Sequence, residues 1–130
     1  MEKRLRLRSS ADFRETRQQG RSWVHPLMVL YVSPNSLEYS RFGFSVNRRL
    51  GRAVVRNRIK RRMREAARSW KNDIREGWDL VFVARSPISE ATFHSIKHAM
   101  EILLRRARLF KVDRPELCHR VRMVGTGSDN

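Results

Sequence analysis

The stretch GRAVVRNRIKRRMREAAR, Gly51 to Arg68, decides how this chain is read. Of the 21 residues from Arg48 to Arg68, ten are Lys or Arg, and Glu65 alone is acidic. Like charges three or four residues apart on a helix repel, each pair by roughly 0.2–0.5 kcal/mol. The run therefore does not stabilise itself. Its apolar residues are nevertheless spaced for a helix: at about 100° per residue, Val55, Ile59, Met63, Ala66 and Trp70 form one stripe. Asn57, Arg61, Arg64 and Arg68 lie opposite, with Arg58 and Lys60 flanking them. A disordered basic tail has no reason for such spacing. The stretch predicts a rigid amphipathic helix with a cationic outer face.

The rest of the chain supplies what that stripe can pack on. Ser9 and Ser10 can cap a short helix with Asp12 in its first turn and Gly20 as its stop. PLMVLYV, Pro26 to Val32, reads as a strand ended by the turn residues Ser33 to Ser36. YSRFGFSV, Tyr39 to Val46, reads as a second strand with Phe42, Phe44 and Val46 on one side. The two are expected to form an antiparallel hairpin. After the basic helix, Gly77 to Arg85 reads as a buried strand. Ser89 to Phe110 then reads as a helix with the stripe Phe93, Ile96, Met100, Leu103, Leu104 and Ala107. The predicted fold is α+β, a small mixed sheet packed by helices in the order α-β-β(-β)-α-β-α. The basic helix occupies a β-α-β crossover. Residues 1–112 are expected to form a single domain, with a loosely ordered tail over 113–130.

Bulk properties narrow the partners. Lys plus Arg total 29 and Asp plus Glu 13 in 130 residues, a formal charge of +16 with pI near 11.6. Such a charge favours polyanions, and the predominance of Arg favours phosphate forks and base stacking. Cys118 is the only cysteine, so no internal disulfide forms. MEKRLRLRSS lacks the apolar segment of a signal peptide, and no apolar run approaches the ~18–20 residues that span a bilayer. A cytoplasmic protein without membrane partners is expected.

Several chemistries compete for the remaining residues. His94 and His98 stand at i, i+4, and with Cys118 and His119 would be zinc-ligand types, but the spacing matches no standard pattern. His25 with His94 or His98 would serve a protein nuclease as acid and base only if they converge. Binding of the basic helix to anionic lipid is a further alternative, although its Val/Ile/Met/Ala stripe suits a core better. A solvated charged face is another, yet the acids that would support one are missing. Nucleic-acid binding accounts best for the one-sided charge. Phe13 and Tyr31 are candidate base-stacking residues, while Phe42 and Phe44 are expected in the core.

Arg56-Asn57-Arg58 followed by Ile59-Lys60-Arg61, preceded by GFSVNRRLGRAV, resembles the protein subunit of bacterial ribonuclease P. The similarity extends through LRSSADFRETRQQGRS before the motif and DLVFVARSPI after it, about Leu5 to Phe110. The resemblance implies a sandwich like the second domain of a small-subunit ribosomal protein, with a left-handed crossover. It implies a holoenzyme that removes the 5′ leader of precursor tRNA by Mg²⁺-dependent hydrolysis, with Mg²⁺ and the chemistry carried by a catalytic RNA. No protein catalytic or metal-binding residue and no obligate protein partner are then expected. Carried over by position, Arg48, Arg49, Arg56, Asn57, Arg58, Lys60, Arg61 and Arg64 are expected to contact the RNA, and Arg52 and Arg68 of the same basic run are counted with them. Phe13, Arg17, Tyr31 and Arg85 belong to the cleft that holds the leader. Arg17 stands where relatives often have a second aromatic, substituting a phosphate or base-edge contact. Outside this family, an RNA-annealing or ribosome-associated protein and a self-sufficient nuclease are the competing classes.

Overall fold

The computed structural model describes residues 3–7 and 10–111. The tail over 113–130, with Cys118 and His119, lies outside them, as does Ser9. Helix α1 (Ser10–Gln19) is followed by strands β1 (Arg21–Val24), β2 (Met28–Pro34) and β3 (Arg41–Ser45). Helix α2 (Ala53–Trp70), strand β4 (Trp78–Ala84) and helix α3 (Phe93–Arg106) complete the order. The strands form one mixed sheet in the order β1-β2-β4-β3.

The expected hairpin between β2 and the Tyr39 strand does not form. β4 lies between them, antiparallel to β2 and parallel to β3, with Leu30 opposite Phe82 and Phe42 opposite Leu80. The reason is burial. Leu80, Val81 and Phe82 are three consecutive residues at or below 1% exposure, so both faces of β4 need cover, which a central position supplies. β2 instead makes its hairpin with β1, a short strand of Arg21 to Val24 whose composition hides it. That turn closes through reciprocal backbone bonds between His25 and Met28 and a Leu27 N–H donated to His25 Nδ1 at 3.0 Å. β3 and β4 are joined through α2 as the sequence predicts, the parallel pairing needing the long crossover.

Alternation along the strands separates the sheet's faces. Met28, Leu30, Val32, Phe42, Leu80, Phe82 and Ala84 join Ile59, Met63, Ala66 and Trp70 of α2 and Ile96, Met100, Leu103 and Leu104 of α3 in one core. The predicted α2 stripe is thus the buried one, with Ala67 added and Val55 half-buried. On α3, Thr92 caps the helix by accepting from Ser95 N–H, so it begins later than the expected Ser89, which lies in a 3₁₀ turn. Phe93 was expected in the stripe, but it is 37% exposed and rings against His94. Side chains on a helix tilt toward its N-terminus, so that of the first residue projects past the packed turns. Ala107 is only half-buried.

α1 covers the opposite face. A Cβ added to Gly43 would lie 2.6 Å from Phe13 Cζ, so the ring rests directly on β3 backbone. Gly20 ends α1 as predicted, and a Cβ there would meet Thr16 O and Val32 O at 2.4 Å each. Only glycine lets the helix end approach β2 that closely. Asp79 ties the layers together. Its carboxylate accepts from Arg41 Nε at 2.9 Å, Arg41 Nη2 at 2.7 Å and Asn35 Nδ2 at 2.9 Å. Arg41 also reaches Asp12 of α1 at 3.5 Å.

Candidate nucleic-acid interface

The helical twist of α2 sorts its cations into three groups. Arg58, Arg61 and Asn57 are exposed on the outer face, together with Arg52 at the N-cap. Arg48 and Arg49 are exposed in the preceding 3₁₀ turn, which Asn47 caps by accepting from Arg49 N–H at 2.9 Å. Arg68, placed on this face by the wheel, is paired with Glu65 at 2.7 Å, so part of its charge is already answered.

Arg56, Lys60 and Arg64 form a second, half-buried row at i, i+4, i+8. Arg56 Nε donates to Gly51 O at 3.2 Å and holds the loop before the helix. Lys60 and Arg64 turn toward the edge of β3. With Arg6, Leu7, Phe13, Phe42, Gly43 and Phe44 they line a cavity of about 270 Å³. Arg64 Nε is buried there with no hydrogen-bond partner. Burial foremost, and then the charge of Arg6, lowers the Arg64 pKa against the opposing pull of Glu65. A guanidinium nonetheless keeps its proton in proteins. A third direction is taken by Arg62, whose Nη1 donates to Ala91 O at 3.4 Å.

A larger cleft of about 580 Å³ opens between α1 and the sheet face carrying Tyr31 and Ser45. Ser10, Phe13, Arg14, Arg17 and Gln18 supply its helical wall. Phe13 lines both cavities, so the cleft continues past its ring to Lys60 and Arg64. The Arg17 guanidinium lies over the Tyr31 ring, 5.4 Å from its centroid. Arg17 therefore presents a flat cation where an aromatic plane could have been, already stacked on the tyrosine.

The sequence-predicted residues thus fall into separate places. Phe13, Arg17 and Tyr31 share the cleft, and Lys60 and Arg64 its continuation. Arg85 is not among the lining residues; its Nη1 donates to His25 O at the β1–β2 turn. Arg14 and Gln18 were missed, although they share the α1 face of Ser10, Phe13 and Arg17 at i, i+3, i+4, i+7, i+8, a spacing readable from the sequence. Arg6 had no such signal. It arrives through a bridge between Arg6 and Phe42, with Leu7 N–H donating to Phe42 O at 2.7 Å.

The histidines show a partial convergence. His25 is close enough to His98, Arg106 and Arg85 for their charges to lower its pKa, though burial is the larger cause. His94 packs against Phe93, and His98 Nδ1 lies 3.6 Å from Glu101 Oε1. Among the described residues no three His, Cys, Asp or Glu side chains are grouped to hold a metal ion. No helix among them is long and apolar enough to cross a membrane.

The family model described as Ribonuclease P matches residues 1–108. The chain belongs to the Ribonuclease P protein family. It is 44% identical over 110 residues to the Ribonuclease P protein component of Herpetosiphon aurantiacus, covering 85% of this chain and 89% of that one. Against the protein component of Caldanaerobacter subterraneus subsp. tengcongensis the identity is 38% over 110 residues, 85% of this chain and 95% of the relative. The solved RNase P protein of Staphylococcus aureus superimposes with a TM-score of 0.75 at 33% identity, over 82% of this chain and 98% of that one. That of Thermotoga maritima, in complex with 1-(4-fluorophenyl)-2-thiourea, gives 0.70 at 31%, over 83% and 100%. The mixed α+β architecture is therefore a family property.

Gly43 offers a direct handle on the cleft. Gly43→Ala is expected to lift the Phe13 ring off the sheet and weaken binding of a single-stranded RNA about tenfold, within the ~1–3 kcal/mol that one base stack contributes. Unchanged affinity, with circular dichroism showing an intact fold, would show that Phe13 does not stack on RNA.

Proposed function

We propose that this chain is the protein subunit of a ribonuclease P holoenzyme and acts in the cytoplasm on precursor tRNA. It binds the catalytic RNA through the outer face of α2 and the 5′ leader through the α1–sheet cleft. The observation that carries this reading is the continuity of the cleft with the half-buried row of α2 cations. A cleft lined by Phe13, Tyr31 and Arg17 runs on to Lys60 and to an Arg64 whose Nε has no protein partner. Stacking surfaces followed by unanswered cations suit an unpaired strand with phosphates along one edge.

The contribution is electrostatic and positional. Ribozyme and substrate are both polyanions, and cations at their junction screen the repulsion. Each phosphate neutralised on a single strand adds about −0.7 to the slope of log K against log salt. In this reading Mg²⁺ and the hydrolytic chemistry belong to the RNA subunit, which docks against the face where Arg58 and Arg61 are exposed.

Arg58→Ala with Arg61→Ala is expected to raise the Mg²⁺ concentration needed for half-maximal precursor cleavage several-fold, because the ions must then screen charge the protein no longer covers. An unchanged Mg²⁺ requirement would sink the electrostatic role. The assignment itself is tested by incubating precursor tRNA with the protein, with and without the cognate RNA. Cleavage only with RNA supports it. Cleavage by protein alone indicates a protein nuclease, and cleavage in neither case an annealing protein.

A further inference from the structure

A second concentration of positive charge lies away from both cavities, at the β1–β2 turn. Arg85, the residue after β4, donates through Nη1 to His25 O at 3.2 Å. Arg106, in the last turn of α3, donates through Nη1 to Val24 O at 3.2 Å. Two arginines from different elements are thus anchored on adjacent carbonyls of one turn. Each spends one of its five donors there. Both are exposed, and neither has an ion-pair partner among the described residues. His98 adds an exposed imidazole from α3. The carboxylate beside it, Glu101, is buried and accepts from Arg105 at 3.1 Å, so it is not available to Arg85 or Arg106.

The arrangement also has a direction. The 3₁₀ turn Ser86–Glu90, directly after Arg85, packs against the turn Arg48–Leu50 that leads into α2. The Arg48 and Arg49 cations thus stand one turn away from Arg85, although Ser86–Glu90 between them holds no Lys or Arg and ends on the exposed Glu90. Resting on the reading of the chain as an RNA-binding subunit, we propose that Arg85 and Arg106, with His98 at their side, form a second phosphodiester-binding surface for the catalytic RNA, separate from the leader cleft. The guanidiniums are held apart on consecutive residues, which suits successive phosphates of one backbone better than a single anion.

The test is a salt titration of binding between the full-length protein and the ribonuclease P RNA alone, without tRNA. Arg85→Ala with Arg106→Ala is expected to weaken binding roughly ten- to thirtyfold at 0.15 M salt and to flatten the log–log slope by about 1.5. Arg85→Lys with Arg106→Lys keeps the charge and is expected to retain most of the slope. An unchanged slope in the Ala pair overturns the proposal. Equal losses in the Ala and Lys pairs also overturn it, because the arginines would then serve only to anchor the turn. A loss seen only with leader-bearing precursor overturns it as well and returns Arg85 to the cleft. Failure of the underlying reading would look different: the unaltered protein would itself not bind the RNA.

Discussion

Asp79→Ala is expected to destabilise the folded protein by about 3–5 kcal/mol, the range for removing one partner of a buried ion pair. The carboxylate side chain is 9% exposed and that of Arg41 25%. Without Asp79 the Arg41 guanidinium keeps its desolvation but loses both of its short bonds. Asn35 Nδ2 is deprived of a partner as well, although it retains Tyr39 O at 3.2 Å. Because the same Arg41 reaches Asp12, the loss should spread to the seating of α1 and so to the cleft. Urea unfolding measures the first effect and leader binding the second. A double cycle with Arg41→Ala should show strong coupling. If Asp79→Ala and Arg41→Ala were each nearly neutral and additive, the network would have no structural role.

Arg64→Met is expected to move stability and function in opposite directions. The substitution keeps the apolar stem and removes a half-buried guanidinium whose Nε is enclosed without a hydrogen bond. Relieving one such unsatisfied group should raise stability by about 1–3 kcal/mol. It also removes the cation at the deep end of the cleft beside Lys60 and Arg6. Affinity for leader-bearing precursor should fall about tenfold, with a salt slope shallower by about 0.7. A variant that is both more stable and a weaker binder would identify Arg64 as strain kept for the ligand. A variant that is less stable would show that the guanidinium contributes to the fold, and unaltered binding would remove Arg64 from the site.

These effects also show which parts of the molecule are local. The two long helices were legible because a 3.6-residue period is a property of consecutive positions. Ile59, Met63, Ala66 and Trp70 announced their burial before any partner was known. Phe13 stood out as an aromatic and Arg17 through the family resemblance, whereas the helical period applied to α1 would have added Arg14 and Gln18 to the same face. The strands were harder. Pro26 to Val32 and Gly77 to Arg85 stand out as apolar runs, but pairing is not written in either run. The neighbouring Tyr39 strand was therefore matched to the wrong partner. β1 was invisible because Arg21 to Val24 is held in the sheet by β2 and α3 rather than by its own composition.

What the sequence by itself determined was a basic amphipathic helix on an α+β core and, through Arg56-Asn57-Arg58 and its flanks, the family. What only the tertiary structure decided was where the charges go. It turned Lys60 and Arg64 toward Phe13 and left Arg58 and Arg61 outside. It paired Arg68 with Glu65, laid Arg17 on Tyr31 and carried Arg85 to the β1–β2 turn. Periodicity measures angles around one helix axis, whereas a side chain's neighbours depend on how distant segments are packed beside it.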